Sequence, residues 1–346
     1  KAEGNPFFVE EIVRSLIDQG MLRQERIDGT TRWQVAADME IEQLAIPDSV
    51  QALVMARIDR LPEDIRHTLQ LAAVIGRSFS HRVLAVVSPA GEGLGRQLET
   101  LQHAELIVDQ GSEAQFSFRH ALMRDAAYNS ILLRHRRQFH HRVGEAMERL
   151  YGDRLEEHAG ALAYHFAQAR DDERALHYYI QAGDAAAQLY AGTEAVDHYR
   201  RAQEIAVRTN APSDVLHHLY RRRGRMLEME GCYAEALDNY RYLEALARKR
   251  GDRRLELAAL IPQATVYSTF TVEFDPQQGR VLSQQALALA QVLGDARAQA
   301  KIFWNLMLSE IYTDGDPQQA VAHGERSLAI ARAMARTRLI FGLDES

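Results

Sequence analysis

The spacing of apolar residues divides the chain into stretches with a helical period and one stretch with alternation. Leu94, Leu98 and Leu101 recur every three or four positions, as on the buried face of an α-helix. Phe116 and Phe118 instead alternate with polar residues after a glycine-containing turn, which predicts the second strand of a β-hairpin. Three helical stretches followed by this hairpin predict a winged-helix-like domain at 47–119 in a mainly α protein.

The second half of the chain repeats itself. The stretch AGTEAVDHYRRAQEIA resembles GCYAEALDNYRYLEALA, so Ala195 and Tyr199 correspond to Ala236 and Tyr240, 41 positions later. DPQQGRVLSQQALALA and DPQQAVAHGERSLAIA align with the same offset of 41, so Gly279 corresponds to Ala320, and the step from Ala236 to Gly279 is 43. These four small residues are the predicted anchors of the second helices. A fixed period predicts stacked helical units, because each unit must bury its apolar face against its neighbour.

Each unit is predicted to contain two helices. Gly183 and Gly224 precede Ala195 and Ala236 by 12 positions, and such small residues let paired helices approach closely. The pattern resembles the tetratricopeptide repeat, in a longer version than its usual period of about 34 residues. It predicts an α-solenoid at 155–335 that binds a protein or small-molecule effector. An irregular helical bundle without a ligand is the alternative.

Composition narrows the class of protein. With 46% hydrophobic and 26% charged residues, the 346-residue chain suits an ordinary globular protein with two or three cores. Its net charge of −7 and the acidic residues around Arg96 argue against direct nucleic-acid binding. No apolar run approaches the roughly 20 residues of a membrane span. The single Cys232 permits no internal disulfide, which favours a cytoplasmic setting.

Three stretches resemble the C-terminal part of a STAND-type (AAA/NB-ARC-like) signal-transduction ATPase: GNPFFVEEIVRSL, IPDSVQALVMARIDRL and FSFRHALMRDAAYNSI. Their order is typical of bacterial regulators that join such an ATPase to tetratricopeptide-like repeats, as in cyclase-linked or LuxR/maltose-activator-like proteins. The resemblance covers the whole chain. It implies a lid-domain fragment with a short hairpin at 1–46, with connecting helices at 120–154 between the winged helix and the repeats. The repeat pattern is lost after Ala335, which predicts a tail at 336–346.

The resemblance also implies three nucleotide-binding residues. Pro6, with Gly4 freeing the backbone before it, matches the lid element that lies against the adenine ring, and a rigid apolar ring suits a flat base. His120 matches the histidine that reaches the β-phosphate of ADP, although Ala121 stands where the related signature has Asp. An ordinary turn at Gly-Asn-Pro and a capping role for His120 are the alternatives.

No Gly-x-x-x-x-Gly-Lys-Ser/Thr sequence occurs in the chain, so the backbone donors and the lysine that hold phosphates are missing. We therefore expect no catalytic residues, no ATP hydrolysis by this chain alone and no tightly bound cofactor. The resemblance implies an upstream P-loop core in cis that binds ATP or ADP with Mg. The chain is then the regulatory, partner-binding portion of a nucleotide-dependent switch. A nucleotide-independent interaction scaffold and part of a transcription regulator are the alternatives.

Other clusters of functional residue types have simpler interpretations. The basic runs at 134–142 and 221–225 are predicted to be solvated faces, because apolar residues such as Phe139 and Val143 fill the buried stripe of the first. None of the 14 histidines lies in HExxH or near a cysteine at zinc-ligand spacing, so no metal site is predicted. Cys232 is expected at a packed repeat position.

Overall fold

The computed structural model describes Val13, Ile17 and residues 22–27, 30–35, 50–111, 115–313 and 315–341. Over these residues the protein is mainly α, as the apolar spacing predicts. The strands are β1 (Leu22–Ile27), β2 (Thr30–Val35), β3 (Ser78–Ser80), β4 (Ile107–Asp109) and β5 (Gln115–Phe118). The helices are α1 (Val50–Asp59), α2 (Glu63–Ile75), α3 (His81–Val87), α4 (Leu94–His103), α5 (Ala121–Asn129), α6 (Leu133–Leu150), α7 (Ala159–Ala169), α8 (Asp172–Gln188), α9 (Gly192–Arg208), α10 (Ser213–Met229), α11 (Tyr233–Arg250), α12 (Arg253–Ser268), α13 (Pro276–Leu293), α14 (Ala296–Ile311) and α15 (Pro317–Phe341). Among the described helices, none has the length and apolar character needed to cross a lipid bilayer.

Two small antiparallel sheets lie in the first compact unit, which comprises the described residues of Lys1–Leu155 and Tyr164–Asp171. β1 and β2 form a hairpin in which Leu22 pairs with Val35. The second sheet has the order β3-β5-β4, so the predicted hairpin is present and β3 adds a third strand that the apolar spacing does not indicate. The winged-helix assignment of 47–119 stays a prediction.

Aromatic residues of the second sheet pack against one another. The Phe79 ring stacks on Phe116 and meets Phe118 edge-on, with both centroid distances 5.8 Å. The predicted apolar stripe of α4 is buried, as its Leu98 and Leu101 show. The three phenylalanine rings and the buried leucines of α4 thus provide apolar surface for the packing of the elements that follow α2.

The long helix α6 carries the predicted buried stripe, which includes Phe139, Val143 and Met147. Gly144 on the same face meets the ring of Phe166 on α7, since an added Cβ would lie 2.8 Å from that ring. Carbon atoms do not approach so closely, so this contact between α6 and α7 requires a residue without a side chain.

The second unit comprises the described residues of Glu156–Ala163 and Asp172–Ser346. From α8 to α15 each helix packs against the next in a solenoid-like arrangement. The four predicted second-helix anchors are all buried: Ala195, Ala236, Gly279 and Ala320. The sequence repeat of 41 to 43 residues is therefore a repeat of packing.

Glycine and tyrosine residues set the spacing within the first two repeat pairs. A Cβ on Gly183 would lie 2.7 Å from the Tyr199 ring, and a Cβ on Gly224 would overlap the Tyr240 ring. Both tyrosines are buried, and the Tyr240 hydroxyl donates to Glu228 at 2.7 Å. The close approach of paired helices at these glycines is thus confirmed.

Paired Gly-Asp signals separate later helices. Gly251 ends α11 in the left-handed conformation (φ +67°), and Asp252 then caps α12 by accepting a hydrogen bond from the Leu255 amide at 3.0 Å. Gly294 and Asp295 do the same between α13 and α14. A non-glycine residue at either left-handed position would be strained.

Two details differ from the sequence-based expectation. α15 continues to Phe341, six residues into the predicted tail, and the Arg and Leu residues of this extension are good helix formers. The expected packing of Cys232 is wrong, since this residue is exposed in the turn between α10 and α11. The buried residues of α11 begin only at Ala236.

Candidate functional site

Gly4 and Pro6, two of the three predicted nucleotide-binding residues, lie outside the described residues. The third, His120, can be located. His120 follows β5 and occupies the N-cap position of α5 with an extended backbone (φ −134°, ψ 146°). Its half-buried side chain makes no capping hydrogen bond to α5, whereas its carbonyl oxygen accepts a hydrogen bond from the Met123 amide at 3.0 Å. Phosphate contact by His120 stays a prediction.

A groove of about 620 Å³ runs along α9, α10 and α11 in the second unit. α9 and α11 are the second helices of consecutive repeats, and α10 is the first helix of the later one. The close approach of Gly224 to Tyr240 brings α10 and α11 together beside this groove. Polar side chains from all three helices therefore converge on one space.

Two buried amides form one wall of the groove. Gln203 and Asn239 are only 5% and 3% exposed. The Gln203 Nε2 donates to Asn239 Oδ1 at 2.9 Å, and Asn239 Nδ2 donates to the Tyr220 carbonyl oxygen at 2.8 Å. Because a buried amide is costly without partners, these bonds fix both side chains in one orientation.

Arg223 of α10 lies against these amides. Its Nη1 donates to Gln203 Oε1 and to Asn239 Oδ1, each at the long distance of 3.3 Å. Its Nε is buried and has no hydrogen-bond partner among the described residues. Burial lowers the pKa of Arg223 below its usual value. The guanidinium charge is therefore held by weak neutral contacts.

The acidic residues of the groove compensate this charge only in part. Glu204 binds Arg200 at 2.5 Å, and Asp238 binds the arginine one helical turn later at 3.0 Å. The carboxylates of Glu235 and Glu204 raise the pKa of Arg223, but less than burial lowers it. In the part of the chain that the structure describes, neither carboxylate forms an ion pair with Arg223.

Sequence reasoning missed Arg223 because it treated the whole run 221–225 as a solvated face. Arg221, Arg222 and Arg225 are indeed exposed. Arg223 instead lies beside Tyr220 on the inner side of α10, at a spacing of three residues. The sequence signal for Arg223 is its place among the apolar positions of α10, because a charged residue is rare on such a stripe.

An aromatic pair adds a flat surface to the groove. The rings of Tyr220 and Tyr242 stack at 6.0 Å with an interplanar angle of 4°, and Tyr242 is 54% exposed. The described lining thus offers a cation, amide hydrogen-bonding groups and an aromatic face, without a nucleophile beside a general base. Such a surface suits recognition rather than bond breaking.

A second unusual cluster lies in the first unit, where the sequence suggested only a basic face. His140 on α6 is fully buried, and its Nδ1 lies 2.9 Å from Nδ1 of His165 on α7. Its Nε2 lies 2.9 Å from the Tyr128 hydroxyl. Burial lowers the pKa of His140 to about 3 and that of His165 to about 4, with a further contribution from nearby positive charge.

Both rings are therefore neutral at pH 7, and one Nδ1–H donates to the other Nδ1. No group of three or more His, Cys, Asp or Glu side chains that could hold a metal ion occurs within the described ranges. The signal for the burial of His140 was its place next to Phe139 on the apolar stripe of α6.

Comparison with known structures gives distant likenesses. No protein-family model matches the chain, and no curated protein matches it. A STAND protein with a tetratricopeptide repeat sensor from Pyrococcus horikoshii shares 13% identity, with a TM-score of 0.39 over 85% of this chain and 54% of that one. BtubC from P. vanneervenii shares 11% identity, with a TM-score of 0.40 over 77% and 95% of the two chains. This chain spans about half the length of the first protein, and neither likeness assigns it to a family.

Proposed function

We propose that this chain is the regulatory, partner-binding portion of a nucleotide-dependent signal-transduction ATPase switch, with its effector bound in the groove of α9, α10 and α11. The observation that carries the binding site is Arg223, whose buried Nε has no partner among the described residues. A buried N–H donor without an acceptor is costly. A ligand that brings an anionic group to this position removes that cost and gains affinity from it.

The groove favours a carboxylate over a phosphate. Glu204, Glu235 and Asp238 line the same space, and they would repel a dianion more strongly than a single negative charge. A carboxylate also matches the planar donor edge of a guanidinium. The exposed face of Tyr242 provides an apolar contact beside it. An acidic polypeptide segment or a small organic acid has this chemistry.

Binding of blocked tetrapeptides tests the groove. A pool with aspartate at one position should bind the wild-type chain more tightly than the matched pool with asparagine. Arg223→Gln should weaken the aspartate pool by about tenfold or more, since charge-assisted hydrogen bonds contribute roughly 1.5–3 kcal/mol. Arg221→Gln, a change at an exposed neighbour outside the lining, is the control. Equal affinity of the two pools for the wild type would sink the proposed site.

The nucleotide part of the proposal rests on the motif that contains His120. His120 is half-buried directly after β5, where an imidazole remains partly accessible to a ligand. In protein expressed from the natural gene with its upstream residues, His120→Ala should weaken ADP binding. His103→Ala, a substitution of an exposed residue in the last turn of α4, should leave ADP binding unchanged. Equal ADP affinity in both variants, or no ADP binding, would refute the nucleotide role of His120.

A plain interaction scaffold is the second candidate function. The observation in its favour is that residues of three repeat helices alone build the groove, so binding there needs no nucleotide. The scaffold predicts that effector affinity is the same with ADP, with an ATP analogue and without nucleotide. The switch predicts that it differs, because a ligand shifts an equilibrium only through differential affinity.

A further inference from the structure

Apolar side chains are exposed at one edge of the second unit, where turns join the first helix of each pair to the second. The turns are neighbours in space, since the rings of Phe270 and Tyr312 lie 4.2 Å apart and a Cβ on Gly192 would overlap Glu230. Six apolar residues of these turns are between 54% and 85% exposed: Leu189, Tyr190, Met229, Phe270, Val272 and Ile311. We call these six residues the apolar edge.

The exposure follows the repeat. Met229, Phe270 and Ile311 are separated by 41 positions each, and each precedes the buried anchor of the following helix, Ala236, Gly279 or Ala320, by seven or nine positions. One such residue exposed at random would be ordinary. A row of them, repeated in successive turns, forms the kind of apolar surface that marks an interaction site.

The same turns are acidic. Each carries an exposed carboxylate: Glu194, Glu230, Asp275 and Asp316. The stretches 186–194, 226–236, 269–279 and 308–320 contain no Lys or Arg at all. The nearest arginines, Arg225 and Arg280, are bound to Glu228 and Glu310. A partner for this edge therefore needs positive charge beside its apolar residues.

The opposite edge, where second helices lead to the next first helix, has a different character. It exposes the basic residues Arg208, Lys249, Arg253, Arg254 and Arg297. The basic residues of this edge on a second copy of the chain would match the charge of the acidic turns. That edge offers little apolar surface for the apolar edge to contact, although Val292 is exposed there. Pairing of two unlike edges would also give open-ended chains instead of a closed dimer.

We infer that the apolar edge is a docking surface for a cationic amphipathic segment of a partner protein. The exposed apolar residues bind its apolar face, and the four carboxylates bind its Lys and Arg side chains. This surface is separate from the groove of α9, α10 and α11, and it requires neither a nucleotide nor Arg223.

Fluorescence anisotropy with a labelled helical peptide of leucine and lysine, about 18 residues long, tests the inference. A variant that combines Met229→Ser, Phe270→Ser and Ile311→Ser should bind it about tenfold more weakly, from the loss of partly buried apolar area. All three side chains are more than half exposed in the free chain, so the variant should stay folded, with a small decrease in its unfolding midpoint from loss of the ring contact between Phe270 and Tyr312. Added salt should weaken the complex.

Three controls separate this inference from its rivals. Val292→Ser on the opposite edge should leave the affinity unchanged, and a peptide of leucine and glutamate should not bind. Arg223→Gln should also leave the affinity unchanged, so failure of the groove proposal is recognised separately. Unchanged binding by the triple serine variant would overturn the inference. Self-association of the wild type that the triple variant abolishes would assign the edge to a second copy, and it too would overturn it.

Discussion

Acid should destabilise the first unit through the buried pair His140 and His165. In the folded chain, the pKa values of these two rings are about 3 and about 4, whereas an unfolded histidine titrates near its ordinary value of 6.5. Both rings are therefore neutral when folded and become charged more easily when unfolded. Their contribution to stability is fully present above pH 6.5, and it is lost as the pH falls towards the folded pKa values.

The size of the effect follows from proton linkage. Between pH 6.5 and pH 4 the unfolded chain binds up to one more proton at each of these two histidines. From pH 6.5 to pH 5.5 each ring should cost about 1 kcal/mol of unfolding free energy, or about 2 kcal/mol for the pair. The Nδ1···Nδ1 hydrogen bond of 2.9 Å strengthens the argument, since it forms only while at least one ring is neutral.

Hydrogen exchange of the α6 amides, corrected for the intrinsic effect of pH on exchange, measures the free energy of opening this helix and therefore its loss of stability in acid. The double variant His140→Leu with His165→Leu removes both titrating groups and should flatten the pH dependence, whatever its absolute stability. His103→Ala, at an exposed position in the same unit, should leave the wild-type slope intact. An identical slope in the double variant and the wild type would refute the reasoning.

Three further changes test the packing, capping and polar contacts of the second unit by chemical denaturation. Gly224→Ala should cost roughly 1–3 kcal/mol because its methyl group would overlap the Tyr240 ring, whereas Gly95→Ala in the first unit, with open space at that position, should not destabilise the chain. Asp252→Ala should cost about 1 kcal/mol at pH 7 through loss of a helix cap. That cost should shrink in acid, because the Asp252 carboxylate becomes protonated as the pH falls through its lowered pKa and then accepts the cap hydrogen bond less strongly. Asn239→Ala should cost about 1–3 kcal/mol, since it leaves buried polar partners unpaired. A Gly224→Ala chain as stable as the wild type, or an Asp252→Ala cost that does not change with pH, would contradict the corresponding contact.

The repeat packing was predictable because its signals are local and recur. A glycine 16 residues before a tyrosine, as in Gly183 with Tyr199, has meaning only if two helices cross there, and the 41-residue period shows that they do. The left-handed Gly251 followed by the capping Asp252 is equally local, although its value as a boundary signal emerges only once both helices are known.

The groove was not predictable in the same way. It depends on Gln203, Arg223 and Asn239, which lie on three helices and acquire a role only through contacts across 16 to 36 positions. β3 escaped prediction for a related reason, since its three residues become a strand only by pairing with β5. Local spacing identifies elements, whereas convergence between elements requires the packed structure.

In the proposed switch, nucleotide state and groove occupancy are coupled. The most direct test measures the affinity of the aspartate tetrapeptide pool for the protein expressed from its natural gene with upstream residues, once with ADP and once with a non-hydrolysable ATP analogue. We predict affinities that differ by at least about fivefold, the lower end of usual allosteric coupling. The same affinity with both nucleotides would contradict the switch and leave a nucleotide-independent scaffold.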